Sequence, residues 1–262
     1  MKELSLFTGA GGGVLGSKLL GWKTIGYVEI NDYCQKVIAQ RIKDGILDKA
    51  PIFGDICGFI KSGAVREYRG FTDVVSAGFP CQPFSVAGRS KGEFDPRNMW
   101  PETIAVIREV GPRFALLENV PGLLTHEYFG TILGDLAEMG FNARWGTFSH
   151  ASLGGQHLRN RIFIVAYTNE GVDEFLGERG IKIPRKWEKK VECENWIEFL
   201  VDNDRKSPPS WRCKGKGINT RPIMRRNSDE LAFGLDRIAA IGNGQVPIVA
   251  ASAFKILSGG IE

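Results

Sequence analysis

With 262 residues, of which 43% are hydrophobic and 24% charged, the chain has an ordinary globular composition and room for one sizeable α/β domain with a smaller appendage. A formal charge of +4 and a pI near 8.8 are too mild to name a partner. Five cysteines without a C-x-x-C pair point to neither a disulfide framework nor a metal site, and the absence of a signal-like or membrane-length apolar run predicts a cytoplasmic protein that does not enter a membrane.

In chain order, Leu4 to Phe7 reads as a first strand, followed by the turn Thr8-Gly-Ala-Gly-Gly-Gly13 and a helix from Val14 to Leu20. Strand, glycine-rich turn and helix is the arrangement that holds a nucleotide-like cofactor, because glycines let the backbone approach the ligand beside a helix N-terminus. A second strand, Thr24 to Val28, ends in Glu29, an acid placed to accept hydrogen bonds from ribose hydroxyls. Glu29 is equally a favourable N-terminal charge for the helix predicted over Asn31 to Lys43. Pro51 to Asp55 is a candidate third strand that offers Asp55 at its end.

Asp73 to Ala77 is apolar and β-branched, and Gly78-Phe-Pro80 stops it abruptly. Cys81 therefore falls just past the C-terminal end of a strand, the edge at which open α/β sheets bind ligands. Pro80 and Pro83 restrict the backbone on either side. A thiol there is placed for chemistry, although a small buried apolar cysteine remains the plainer alternative at this point.

Residues 84–98 are rich in Gly, Ser, Arg and Lys without apolar periodicity and read as a long loop of the kind that serves as a lid. Helical periodicity returns from Met99 to Val110, and Arg113 to Leu117 is a buried strand that delivers Glu118 and Asn119 to the same edge as Cys81. A carboxylate there is costly unless partnered or functional. Tyr128 to Met139 reads as a helix, and Phe141 to His150 and Arg161 to Ala166 as strands, the latter entered by Arg159 and Arg161.

After Tyr167 the segments become short, charged and spotted with aromatics. The chain is therefore divided into a catalytic and cofactor-binding domain (1–167), a small second domain (168–220) with a helix over Glu194 to Val201, and a C-terminal segment (221–262) that returns to the first domain. Within the second region an acidic stretch, Glu188 to Asp204, gives way to a basic one, Arg205 to Arg226, that contains no acid. The basic block reads either as a solvated loop or as a phosphate-facing surface. Leu231 to Ile241 and Val246 to Leu257 read as helices, with Pro247 in the first turn of the second.

Together these pieces resemble the DNA cytosine-5 methyltransferase family, compact bacterial or phage type, along nearly the whole chain. Phe7-Thr-Gly-Ala-Gly11 is similar to the family's first cofactor motif and Gly78-Phe-Pro-Cys-Gln82 to its nucleophile motif. Glu118-Asn119-Val120 is similar to its Glu-Asn-Val element, Arg159-Asn-Arg161 to the end of its Gln-x-Arg-x-Arg motif, and Gly242-Asn243 with Val246-Pro247 to its last motif. Two places depart from the pattern. His157 stands where the family's glutamine is usual, with Gln156 one position early, and Asp95-Pro-Arg-Asn98 differs from the commoner Asp-x-Arg-Gly.

The resemblance implies an α/β fold: a Rossmann-like S-adenosylmethionine-dependent methyltransferase sheet with helices on both faces, plus a small target-recognition domain. It implies methyl transfer from S-adenosylmethionine to C5 of a flipped cytosine in a short duplex site through a Cys81 adduct. Glu118, Arg159 and Arg161 would assist. Phe7, Thr8, Gly9, Gly11, Glu29, Ile30, Asp55, Ile56, Pro80 and Asn243 would hold the cofactor. Double-stranded DNA is the implied partner of a monomer, with room for a cognate restriction endonuclease; Ser85, Arg89, Ser90 and Lys91 in the lid and Arg212, Lys214 and Lys216 in the basic block would touch it. An RNA (tRNA) cytosine-5 methyltransferase would share every motif. A nicotinamide-dependent dehydrogenase would leave Cys81 and Glu118 without purpose, and a non-catalytic DNA-binding protein would need neither.

Overall fold

Apolar side chains along the inner strands alternate between two faces of one sheet, so both faces must be covered. The computed structural model describes residues 1–80, 98–153, 159–168 and 244–259. In chain order it contains β1 (Lys2–Leu6), α1 (Gly12–Leu19), β2 (Lys23–Val28), α2 (Asp32–Lys43), β3 (Ile52–Phe53), α3 (Ile56–Lys61), β4 (Val74–Ala77), α4 (Trp100–Val110), β5 (Phe114–Asn119), α5 (Tyr128–Glu138), β6 (Asn142–Ser149), β7 (Asn160–Tyr167) and α6 (Pro247–Leu257). The strands form a seven-stranded sheet in the order β3-β2-β1-β4-β5-β7-β6. Neighbours from β3 to β5 are parallel, whereas β7 runs antiparallel to both β5 and β6.

On one face, Leu4 and Leu6 of β1, Val75 and Ala77 of β4, Ala115 and Leu117 of β5 and Ile162 and Ile164 of β7 pack with α3, α4 and α5. The intervening residues Val74, Phe114, Leu116, Phe163 and Val165 point the other way and are covered by α6. Phe254 of α6 meets Trp22 edge-to-face at 4.6 Å and Phe114 at 5.7 Å. Burying side chains of this size stabilises the fold by about 1.5–3 kcal/mol each. The C-terminal helix is thus a structural part of the first layer system, packed along α1.

That packing is close because α1 presents small residues. A Cβ added at Gly16 would lie 2.6 Å from the Pro247 carbonyl oxygen and 3.1 Å from Ala250 Cβ. On the α1 face of β1 lies a polar seam centred on Glu3, which is fully buried and accepts hydrogen bonds from Ser17, Thr24 and Ser76 hydroxyls.

The structure differs from the sequence expectations in four places. The third strand is only two residues long, and Asp55 lies beyond it as the N-cap of α3, a helix that the apolar pattern did not announce. The strand expected to stop at Leu117 continues through Glu118 and Asn119, which pair with Phe163 and Ile162 of β7. Asn98, placed at the end of the lid, is a buried anchor whose amide donates to Tyr128 Oη at 2.8 Å. Phe7 has left β1 and adopts a left-handed backbone, φ 51°. The helices read over 194–201 and 231–241 lie outside the described residues. Among the described residues no helix is long and apolar enough to cross a membrane.

Candidate active site

In this sheet the strand order reverses between β1 and β4: successive strands lie outward from β1 on one side and from β4 on the other. A crevice therefore opens at the C-terminal ends of these two strands, which is where open α/β sheets accept ligands. The chain leaves β1 there as Phe7 to Gly11, with positive φ at Phe7, Gly9 and Gly11, a conformation that glycine adopts at little cost. Beside it, Glu29 follows β2 and is buried. Its two carboxylate oxygens are oriented by backbone N–H groups, Oε2 by Gly9 at 2.6 Å and Oε1 by Asn31 at 2.8 Å. Each oxygen retains a second lone pair for a further donor.

Next to Glu29, Ile30 is 72% exposed, an apolar side chain held in water at the rim. Asp55 is exposed, and its carboxylate accepts from the Cys57 and Gly58 N–H groups, so its immediate work is to cap α3. Ile56 is buried in the core, which leaves only its backbone to face a ligand. Thr8 is buried, and its hydroxyl donates to the Ser5 carbonyl at 3.1 Å.

From β4 the chain passes through Gly78, Phe79 and Pro80, and the Asn119 amide of β5 donates to the Phe79 carbonyl at 3.2 Å. This bond fixes the segment that leads into Cys81 against the end of β5. Glu118 sits beside it: its Oε2 lies 3.1 Å from where a Gly78 Cβ would be. Because β7 is antiparallel to β5, its first residues reach the same rim at which β5 ends. Arg161 there pairs with Glu118, Nε to Oε1 at 2.8 Å, and Arg159 donates from Nη2 to the Gly244 carbonyl at 2.7 Å.

Burial pushes the Glu118 carboxyl above the usual carboxylate range, and this outweighs the opposing pull of Arg161, Arg159 and hydrogen bonds from Arg161 and Gln245. A carboxyl at the rim with raised proton affinity and a fixed orientation can deliver or share a proton with a bound group. The structure thus brings together the glycine turn, Glu29, Pro80, Glu118, Arg159 and Arg161 on one edge of the sheet. Cys81, Asn243, Ser85, Arg89, Ser90, Lys91, Arg212, Lys214, Lys216, Gln156 and His157 lie outside the described residues. The sequence reading passed over Gln245 and Asn119's bond to Phe79. For Gln245 the available signal was an amide set among Gly244, Val246 and Pro247, where a small or apolar residue would serve the turn.

A profile of C-5 cytosine-specific DNA methylases matches residues 1–245. The Type II methyltransferase M.NgoMIV of Neisseria gonorrhoeae is 30% identical over 252 residues, which cover 94% of this chain and 76% of that protein. The Type II methyltransferase M.AplI of Arthrospira platensis is 32% identical over 167 residues, covering 63% of this chain and only 45% of that protein. Among solved structures, a DNMT2 variant of Spodoptera frugiperda shares the fold with a TM-score of 0.54 at 20% identity, over 72% of this chain and 54% of that one. The sheet with its antiparallel β7, the glycine turn and the paired Glu118 and Arg161 are therefore read together with a profile match over most of the sequence: the chain belongs to the C-5 cytosine-specific DNA methylase family.

Proposed function

We propose that the protein methylates DNA at C5 of cytosine, using S-adenosylmethionine, on a base flipped out of a short duplex site. The observation that carries this reading is the meeting of Glu118 and Arg161 beside the Gly78–Pro80 segment, from which the chain continues directly to Cys81.

Cytosine C5 is too weak a nucleophile to take a methyl group unaided. The Cys81 thiolate adds to C6, forming the S–C6 bond and pushing an electron pair toward N3, which takes a proton from Glu118. The resulting enamine makes C5 nucleophilic. Arg161 holds Glu118 in place and stabilises the carboxylate left behind, and Arg159 secures the adjoining chain. When bound, S-adenosylmethionine supplies the electrophilic methyl. A base then removes the C5 proton, the C5–C6 double bond re-forms, Cys81 leaves as thiolate and N3 returns its proton to Glu118.

The rim residues fit such a cofactor. Glu29, oriented by two N–H groups with lone pairs to spare, suits a ribose diol, and exposed Ile30 offers an apolar face to a purine. Phe7, Thr8, Gly9 and Gly11 line the turn, and on this reading Asp55 and Ile56 would border the purine while Pro80 and Asn243 would serve the methyl-donor end. The target carbon is inaccessible in a stacked duplex, which is why base flipping belongs to the proposal. Residues 168–220 would read the site, with Arg212, Lys214 and Lys216 and the loop residues Ser85, Arg89, Ser90 and Lys91 contacting the DNA. On this reading the protein acts as a monomer on cytoplasmic double-stranded DNA, with room for a cognate restriction endonuclease; its similarity to Type II methyltransferases supports the choice of DNA as substrate.

The test is transfer of labelled methyl from S-adenosylmethionine to duplex DNA, with tRNA as the competing substrate. Label in duplex DNA that is lost in Cys81→Ser, with DNA binding retained, is the expected result. Label in tRNA alone, or undiminished turnover in Cys81→Ser, overturns it.

A further inference from the structure

The glycine-rich turn is usually read as space for a ligand, yet two of its glycines make space for another part of the chain. A Cβ at Gly12 would lie 2.3 Å from the Gln245 carbonyl oxygen, and one at Gly13 would lie 2.7 Å from Gln245 Oε1. Both distances are far inside van der Waals contact. On the other arm of the same terminal amide, Gln245 Nε2 lies 2.8 Å from the Cβ position of Gly78, which is also 3.1 Å from Glu118 Oε2. Gln245 therefore threads between the start of α1 and the turn after β4, and its amide comes up against the Glu118 carboxyl, to which it donates a hydrogen bond. Its backbone is fixed too, since Arg159 grips the Gly244 carbonyl and Pro247 begins α6.

We propose that Gln245 is a positioning residue for Glu118, tying the carboxyl to the N-terminal turn of α1 so that proton donor and cofactor loop move as one body. The inference rests on the proposed function for what Glu118 does, whereas the placement of Gln245 against Gly12 and Gly13 and beside Glu118 at Gly78 is read from the geometry. Chemically the arrangement is one-sided. An amide N–H favours the ionised carboxylate, so Gln245 works alongside Arg161 and Arg159 against the burial that favours the protonated form. Among the described residues the charged groups acting on Glu118 are these two arginines, both on or entering β7, and Gln245 is the neutral donor from the opposite side. The carboxyl is thereby held from two directions and kept within reach of titration.

Removing the donor raises the proton affinity of Glu118. If protonated Glu118 is required, turnover falls as pH rises through its pKa, so Gln245→Met, which keeps length and bulk but loses the amide, moves the alkaline limb of the kcat profile upward. The expected shift is about half to one pH unit, with the Kd for duplex DNA unchanged. Gln245→Asn, one methylene too short to reach, shifts it in the same direction. In the wild-type protein, which needs no substitution to fold, the Gln245 side-chain NH2 resonances should titrate with Glu118 and stop doing so in Glu118→Gln. A pH profile that superposes on the wild type in folded Gln245→Met, or NH2 resonances flat across the Glu118 titration, overturns the proposal. Absence of methyl transfer by the wild-type protein instead overturns the functional reading, and the NH2 titration decides the contact independently of it.

Discussion

Two carboxylates are buried in the same sheet, Glu3 on β1 and Glu118 on β5, and burial raises the proton affinity of both. Glu3 lies near the start of its strand, roofed by α1 and satisfied by the hydroxyls of Ser17, Thr24 and Ser76, with no cation bonded to it among the described residues. Glu118 lies at the outgoing end of its strand, at the crevice, with Arg161 on one oxygen and a backbone segment leading to a thiol alongside. On the proposed function only Glu118 works, so raised proton affinity alone would not mark a working group. What separates the two is position on the C-terminal rim and partners that stabilise the charge left after a proton has gone.

The sharpest test of this contrast is a pair of isosteric changes. Glu118→Gln should lower kcat by about 10²- to 10⁴-fold, the range for a lost general acid, while duplex affinity is retained. Glu3→Gln should leave turnover at the wild-type level, and equal losses in both would break the comparison. Arg161→Met comes next. It strands Glu118 without its ion pair and should destabilise by about 3 kcal/mol near pH 8 in chemical denaturation. The sign of its pH dependence follows from the raised folded-state pKa: while Glu118 is protonated in the fold, wild type and variant differ little, and the loss grows as pH rises through the wild-type folded-state value, where only the wild type has a cation beside the new charge.

A smaller effect separates the same two sites by stability. Because the Glu3 carboxyl is raised in the folded state, wild-type stability declines as pH climbs from the ordinary carboxyl range toward the folded value, and Glu3→Gln should flatten that slope in thermal melts between pH 4 and 8, values set by the reference range. The smallest effect is expected at an exposed carboxylate. Asp55→Ala should remove the α3 cap at about 1 kcal/mol, and Asp55→Asn should keep most of it. A large rise in the KM for S-adenosylmethionine in Asp55→Asn would show that the acid serves the cofactor as well as the helix.

Much of the sheet was legible because buried strands carry a strong apolar signal and stop at unmistakable turns, as at Gly78-Phe-Pro80. α3 was not legible: six residues after a two-residue strand carry too little periodicity, and only Asp55 marks its start. Strand direction is invisible in a one-dimensional pattern, so nothing in Arg161 to Ala166 announced that β7 runs backwards and thereby delivers Arg161 to Glu118. The glycine turn was recognised but only partly explained. Gly9 and Gly11 are required by backbone conformation, whereas Gly12 and Gly13 answer to Gln245, a residue far away in the sequence.

That long-range fit has a bearing on biosynthesis. Residues 244–257 seat against α1 and complete one face of the sheet, yet they are translated after almost everything they touch. A nascent polypeptide still attached to the ribosome has made its glycine turn and its Glu118 carboxyl before the wedge that packs between them. On the proposed role of Gln245, competence for chemistry would be acquired late in synthesis, and a message interrupted before residue 244 yields a product that lacks the wedge altogether.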